Sequence, residues 1–247
     1  MKHLIATTAL IGTLATATVA QNLTPMTDEE RALFRAEVRA YLFENPEVIM
    51  EAVEILQNRE SESQAQADFD LVAAHADQIF NDGFSWVGGN PDGDIVLVEF
   101  LDYRCGYCKR AHSEVAQLLE SDGDIKWIVK ELPILGDASV LASRFAVAVK
   151  QISGDDNYAA VGDALMSFQG DITLPALRRL GNTFGLDMPA IEAHMDSDDV
   201  TAEISATRDL AAKLQISGTP TFVMQDELVR GYLPLEQMQA VVAEKRG

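Results

Sequence analysis

Cysteine is scarce in this chain: 247 residues hold only Cys105 and Cys108, with no second pair. A structural zinc site wants about four ligands, so cysteine alone cannot build one here. Basic residues are also few, 19 against 39 acidic ones, which gives a formal net charge of −20 at pH 7. No basic cluster is set apart from that excess, which repels phosphate backbones and anionic lipid. Nucleic acid is therefore not an expected partner. Internal repeats, low-complexity tracts and an unbroken apolar run of membrane length are missing as well. The apolar stretch from Leu4 is interrupted by Thr7, Thr8, Thr13 and Thr16, and no stop-transfer charges follow it. It is a poor span for a hydrocarbon core roughly 30 Å thick.

What the first residues do offer is a leader. Lys2 supplies a short basic start, an apolar and small-residue run follows, and Thr18-Val19-Ala20 ends in the small side chains a signal peptidase needs. Residues 1 to 20 read as a secretory signal cleaved near Ala20. The mature protein is then expected in an exported compartment where disulfides form and persist, with no membrane insertion after signal removal.

Residues 21 to 82 read as a helical region with a linker. TDEERALFRAEVRAYLF starts with acid and repeats Phe34, Val38, Tyr41 and Leu42 at helical spacing. A second short helix follows, with Asn45 as cap, Pro46 at its first position, and Ile49, Val53 and Leu56 as its stripe. RESESQAQAD, residues 59 to 68, fits either a linker or a solvated continuation of helix. A segment this small buries too little to be stable alone. Its stripes must pack on the main domain or on another copy of themselves.

At Gly83 the period changes. Phe84 to Val87 precede a turn at residues 88 to 94, and IVLVEFL, residues 95 to 101, is continuous enough for a strand buried on both faces. A helix with Ala111, Val115, Leu118 and Leu119 on its apolar side comes next, and residues 125 to 132 read as a second strand. Strand, helix, strand with short joints predicts a parallel β-α-β unit over residues 83 to 138. Residues 139 to 214 carry helical stripes and no convincing strand. Residues 215 to 247 return to two strands and a terminal helix.

Both cysteines fall at the joint between the buried strand and its helix. Unpaired amide N–H groups and the positive end of the helix dipole point there, which favours a thiolate and makes Cys105 the expected nucleophile. Cys108 is nearly one turn further on the same face, within reach of a disulfide and placed to attack a mixed disulfide at Cys105. So short a loop adds little stability when closed. The pair reads as redox-active rather than as a staple. A C-x-x-C-x-x-x-H site for Cu(I) using His112 is the metal alternative, set against His112 as an ordinary solvated helix residue. No metal and no cofactor is expected at the pair.

Glu99 interrupts IVLVEFL on the face of Ile95, Leu97 and Leu101. If that strand is central, the carboxyl is buried and its pKa rises, so it is placed to exchange protons with Cys108. Lys130 or Glu131 is its candidate partner. A solvent-touching strand end or a structural ion pair remains the alternative for all three.

Two motifs carry a family resemblance. SGTPTFVM, residues 217 to 224, sets Thr219-Pro220 before a strand near the end of the domain, and EFLDYRCGYCKR holds the cysteines. Together they resemble the thioredoxin fold, and the helical stretch between its halves resembles the DsbA branch. The resemblance implies an α/β thioredoxin fold with an inserted helical domain, preceded by an amino-terminal helical extension. It further implies a cis Pro220 against the cysteines, backbone of Thr219 offered to a substrate peptide, and a family glutamate at the position of Glu99. Gly106 and Tyr107, inside the active loop, are expected to tune thiolate stability.

KELPILG at 130 to 136, GTPTFV at 218 to 223 and AYLFENPEVIMEAVEILQ make the match closer, to exported DsbA-family proteins of the suppressor-of-copper-sensitivity C type. That implies a periplasmic thiol-disulfide oxidoreductase, an isomerase or reductase of misoxidised or unfolded exported proteins, reset by a separate thiol-disulfide redox partner. The extension in some members supports oligomers, so a homotrimer is expected, with a dimer as the alternative. A DsbA-like oxidase, a Cu(I)-binding copper-tolerance factor and a holdase are the competing functions. One departure is Gln225-Asp226-Glu227, where the usual hairpin turn has lost its glycine.

Overall fold

A computed structural model of the protein describes residues 26–247, and the leader read at residues 1 to 20 lies outside them. Thr27 caps the first helix, α1 (Asp28–Glu44): its hydroxyl accepts from Glu30 N at 3.3 Å, and the Glu30 carboxylate accepts from Thr27 N at 2.9 Å. This reciprocal box satisfies two end donors, and the acidic first turn suits the helix dipole. Asn45 does not play the part expected of it. Its side-chain amide donates to Tyr41 O at 3.0 Å, so it closes α1 instead of opening the next helix.

Helix α2 (Glu47–Ala74) is a single run of 28 residues and not a short helix with a linker behind it. Residues 59 to 68 contain no glycine or proline to break it. Gln64 and Gln66 each donate to the aspartate four residues on, Asp68 and Asp70, at 2.9 Å, the side-chain pairing that supports a solvated helix. The chain divides into two units after Gln57, within this helix. In the first unit, α1 buries none of its residues, and Leu33, Phe34, Val38, Tyr41, Phe43, Ile49, Met50 and Val53 are exposed.

The second unit starts with the rest of α2 and a short helix, α3 (Ala76–Phe80), then builds the sheet. Strand β1 (Trp86–Gly89) begins two residues after Phe84 and takes in Gly88 and Gly89, the first two of the three glycines in the anticipated turn. The cause is steric: the Trp86 ring lies over Gly88, where a Cβ would meet it at 2.1 Å. Next come β2 (Ile95–Leu101), α4 (Gly106–Asp122) and β3 (Ile125–Glu131), the expected parallel unit. Five helices follow without a strand: α5 (Asp137–Ser153), α6 (Asp155–Met166), α7 (Leu174–Thr183), α8 (Met188–His194) and α9 (Asp198–Lys213). The chain closes with β4 (Thr221–Met224), β5 (Glu227–Arg230) and α10 (Leu235–Arg246).

The strand order is β1-β3-β2-β4-β5, with β2 and β3 parallel and the other neighbours antiparallel. This is the thioredoxin arrangement with a helical insertion between its halves. Strand β2 is central and feeds three apolar clusters. Ile95 and Leu97 pack with Val115, Phe222 and Met238, while Val98 and Phe100 pack on the other face with Val72, Ile79 and Leu214. Leu101 passes into a third cluster with Phe145, Leu165 and Leu177 of the insertion. Each such side chain, fully buried, contributes about 1.5–3 kcal/mol, which makes β2 a rigid mount for the cysteine loop at its end.

The hairpin without glycine has its own solution. Gln225 takes φ 58° in the left-handed region. Its side-chain amide is tied to the neighbouring strand, donating to Asp94 O at 2.9 Å and accepting from Val96 N at 3.3 Å. Those bonds offset the penalty that a glycine would have avoided.

Candidate active site

Strand β2 ends at Leu101, and four residues later Cys105 is the N-cap of α4. Asp102 organises this turn. Its carbonyl accepts from Cys105 N at 2.9 Å, and its fully buried carboxylate accepts from Arg104 N (2.8 Å), Ile134 N (2.9 Å) and Leu135 N (3.0 Å). One side chain thus fastens the cysteine loop to the loop after β3. A buried carboxylate is tolerable with such a set of amide donors and costly without it.

The Cys105 sulfur lies between two backbone groups. It accepts from Cys108 N at 3.4 Å and donates to Thr219 O at 3.0 Å. The Thr219–Pro220 bond is cis, and the hydrogen bond to Thr219 O brings the two motifs, 114 residues apart in sequence, together at one sulfur. Both cysteines are free thiols; Cys105 keeps 7% of its surface and Cys108 none. Burial pushes the Cys108 thiol far up, and the charges of Cys105 and Glu99 act in the same direction. Cys108 therefore holds its proton at neutral pH unless a base takes it.

Gly106 and Tyr107 form the exposed lip of the loop. A Cβ on Gly106 would meet nothing within 4 Å, so packing within the chain leaves the space above it open. Tyr107 is 61% exposed, with its ring 5.9 Å from that of Tyr232.

Glu99 is fully buried, and among the described residues neither of its carboxyl oxygens has a hydrogen-bond partner. Burial raises its carboxyl to about 8. The indole of Trp127 opposes that shift, but weakly, since Trp127 Nε1 is itself without a partner of ordinary geometry. The two expected partners are engaged elsewhere. Lys130 Nζ donates to Gln78 O at 3.0 Å and pairs with Asp82. Glu131 accepts from Tyr103 OH (2.6 Å), Tyr158 OH (2.7 Å) and Ser143 Oγ (2.7 Å), joining β3 to α5 and α6. Burial raises Glu131 to about 7, and the three hydroxyls hold it below Glu99. His112 turns toward α6, with Nε2 3.0 Å from Asp163.

Asp102, Tyr232 and the hydroxyls gathered around Glu131 were not singled out from the sequence. Only Asp102 had a usable signal, an acid at the end of an apolar strand three residues before Cys105. Tyr103, Ser143 and Tyr158 gain their meaning from contacts that sequence spacing does not encode.

A thioredoxin-fold sheet, a Cys-x-x-Cys pair at the start of the helix after its central strand, and a cis proline loop against the first sulfur define a thiol-disulfide oxidoreductase. Residues 96–243 match the DSBA-like thioredoxin domain, and the chain belongs to that family. Residues 30–62 match the copper resistance protein ScsC N-terminal domain, which places the chain with the ScsC-type members. A thioredoxin-like oxidoreductase from Silicibacter pomeroyi DSS-3 is 39% identical, with a TM-score of 0.65, covering 69% of this chain and 96% of that one. Proteus mirabilis ScsC in a transitional conformation is 28% identical, with a TM-score of 0.64, over 90% of this chain and 97% of that one. The Na(+)/H(+) antiporter NhaA 3 of Salinispora tropica is 26% identical over 156 residues, 63% of this chain, which spans only 24% of that protein. No described helix of the present chain is long and apolar enough to cross a membrane.

Proposed function

We propose that the protein is an exported, periplasmic disulfide isomerase or reductase acting on misoxidised proteins through Cys105 and Cys108. The observation that carries this reading is the Cys105 sulfur held between Cys108 N and Thr219 O, beside an open lip at Gly106. Cys105 thiolate attacks a client disulfide, forms a mixed disulfide and releases one client thiolate. A second client thiol then displaces Cys105, which is isomerisation. Alternatively Cys108 displaces the client, which leaves it reduced by two electrons and the pair oxidised, to be reset by a thiol-disulfide partner.

Glu99 is the group we assign to take the Cys108 proton, because it is buried, unpartnered and raised to about 8. Thr219 offers backbone to an extended client beside the cis bond. Gly106 and Tyr107 tune the pair and shape its approach. Residues 21 to 82 serve assembly, with the exposed apolar side chains of α1 and early α2 packing on further copies of this chain, as a trimer or, alternatively, a dimer.

The test is recovery of a scrambled-disulfide enzyme by the mature protein in redox buffer, beside its mass in solution. Recovery above buffer that is lost in Cys105→Ala supports isomerisation. Oxidation of a reduced client without reshuffling would assign the oxidase role instead. Tight stoichiometric Cu(I) that blocks both thiols and weakens in His112→Ala would favour the copper reading.

A further inference from the structure

The charge around Cys105 runs against the charge of the chain. Arg104 is exposed, donates to Leu135 O at 3.0 Å and makes no ion pair among the described residues. Lys109 Nζ donates to Phe168 O at 2.7 Å and likewise has no carboxylate. Arg110 reaches only Glu114, at 4.0 Å, and lies over the Tyr232 ring at 4.6 Å. Glu114 is already engaged, accepting from Tyr232 OH at 2.5 Å and Leu235 N at 3.0 Å. Elsewhere in the same unit several cations are neutralised, Lys150 by Glu203, Arg178 by Glu192, Arg230 by Asp68, and Arg246 by Asp94 and Asp122, while Arg208 and Lys213 donate to Pro133 O and Gln78 Oε1 without a carboxylate; what sets the rim apart is three cations within six residues of Cys105. Of the acids beside the loop, Asp102 is buried under three amide donors, and exposed Asp137 offsets only one of the three cations.

We propose that Arg104, Lys109 and Arg110, edged by exposed Tyr107, Ile134 and Leu135, select disulfides flanked by carboxylates. The occupant is an acidic segment of a client or redox partner. Its apolar side chains rest on Tyr107 and Leu135 while its carboxylates face the guanidinium groups. The positive end of α4 adds to that field at the reacting sulfur. Such a rim raises the encounter rate of anionic disulfides with Cys105 and does little for neutral ones.

This inference rests on the thiol-disulfide reading, and its test separates the two. The reduced protein is mixed with oxidised glutathione (anionic), bis(2-hydroxyethyl) disulfide (neutral) and cystamine (cationic). Each rate is normalised to that disulfide's rate with a free small thiol. The expected preference for the anionic over the cationic probe is about tenfold at low salt, shrinking several-fold at high salt. Arg104→Gln with Arg110→Gln narrows the ratio. Lys126→Gln removes the same charge from the far end of the parallel strands and leaves the ratio as it was. Equal normalised rates, or a preference indifferent to salt, would overturn the inference alone. Failure of even the neutral disulfide to oxidise the pair would overturn the oxidoreductase reading with it.

Discussion

Glu99 and Glu131 lie on neighbouring strands with their side chains on one face of the sheet, and both are shut away from water. At Glu131 three hydroxyls converge, and two of them come from the helical insertion, so the carboxyl is a joint between the two halves of the unit. At Glu99 nothing converges. Burial, opposed only by the Trp127 indole, raises its carboxyl to about 8, and our proposal has this acid exchange its proton with Cys108. Equal burial thus produces a structural tie in one place and, in our proposal, a proton carrier in the other. The difference lies in the donors each carboxyl meets.

The largest effect that sharpens this contrast is on stability. Glu131→Ala leaves three buried hydroxyls without their acceptor, and we expect a loss of about 3 kcal/mol or more, read by denaturant unfolding. Glu99→Gln strands no donor that is now satisfied, so its unfolding midpoint should move far less. If the two variants lose equal stability, the contrast is wrong.

Chemistry should show the reverse order. Glu99→Gln is expected to slow displacement of the client by Cys108 about 100-fold in rapid-mixing experiments, and to remove a pH inflection near 8. Glu131→Gln should keep that inflection.

Protonation then links the two groups to folding. Both carboxyls have folded pKa values above their ordinary 4.5, about 8 for Glu99 and 7 for Glu131. The folded chain therefore holds protons that the unfolded chain has released. Their contribution is fully present below pH 4.5 and is lost as pH rises through 7 and 8, each pKa unit being worth about 1.4 kcal/mol. Unfolding free energy across that window should decline more gently in Glu99→Gln than in the wild type.

The smallest effect comes from making Glu131 resemble Glu99. Tyr158→Phe removes one donor, so the Glu131 carboxyl should titrate higher, at a stability loss of about 1 kcal/mol. Carboxyl infrared or NMR titration reads the shift directly.

How much of this was legible in the sequence depends on whether the cause is local. The apolar continuity of residues 95 to 101 pointed to a strand buried on both faces, and the cysteines at its end pointed to the head of a helix. Thr219-Pro220 came from a resemblance, and it does meet Cys105. Residues 59 to 68 were ambiguous because polar side chains suit a linker and a solvated helix equally; i to i+4 bonds settle it as helix. Asn45 was assigned to the wrong helix because a short amide can serve either end. Partners for Glu99 were sought along β3, but Lys130 is drawn to Asp82 and Glu131 to two tyrosines and a serine. Those contacts cross 12 to 48 residues of chain, beyond what periodicity reports.

The most direct test of the account is to trap the intermediate. Reduced Cys108→Ala protein is incubated with a disulfide-containing client and the adduct is mapped by mass spectrometry. The account predicts a persistent mixed disulfide on Cys105, discharged quickly in the wild type and absent from Cys105→Ala. No adduct on Cys105, or an equal adduct on Cys108 of Cys105→Ala, would contradict it.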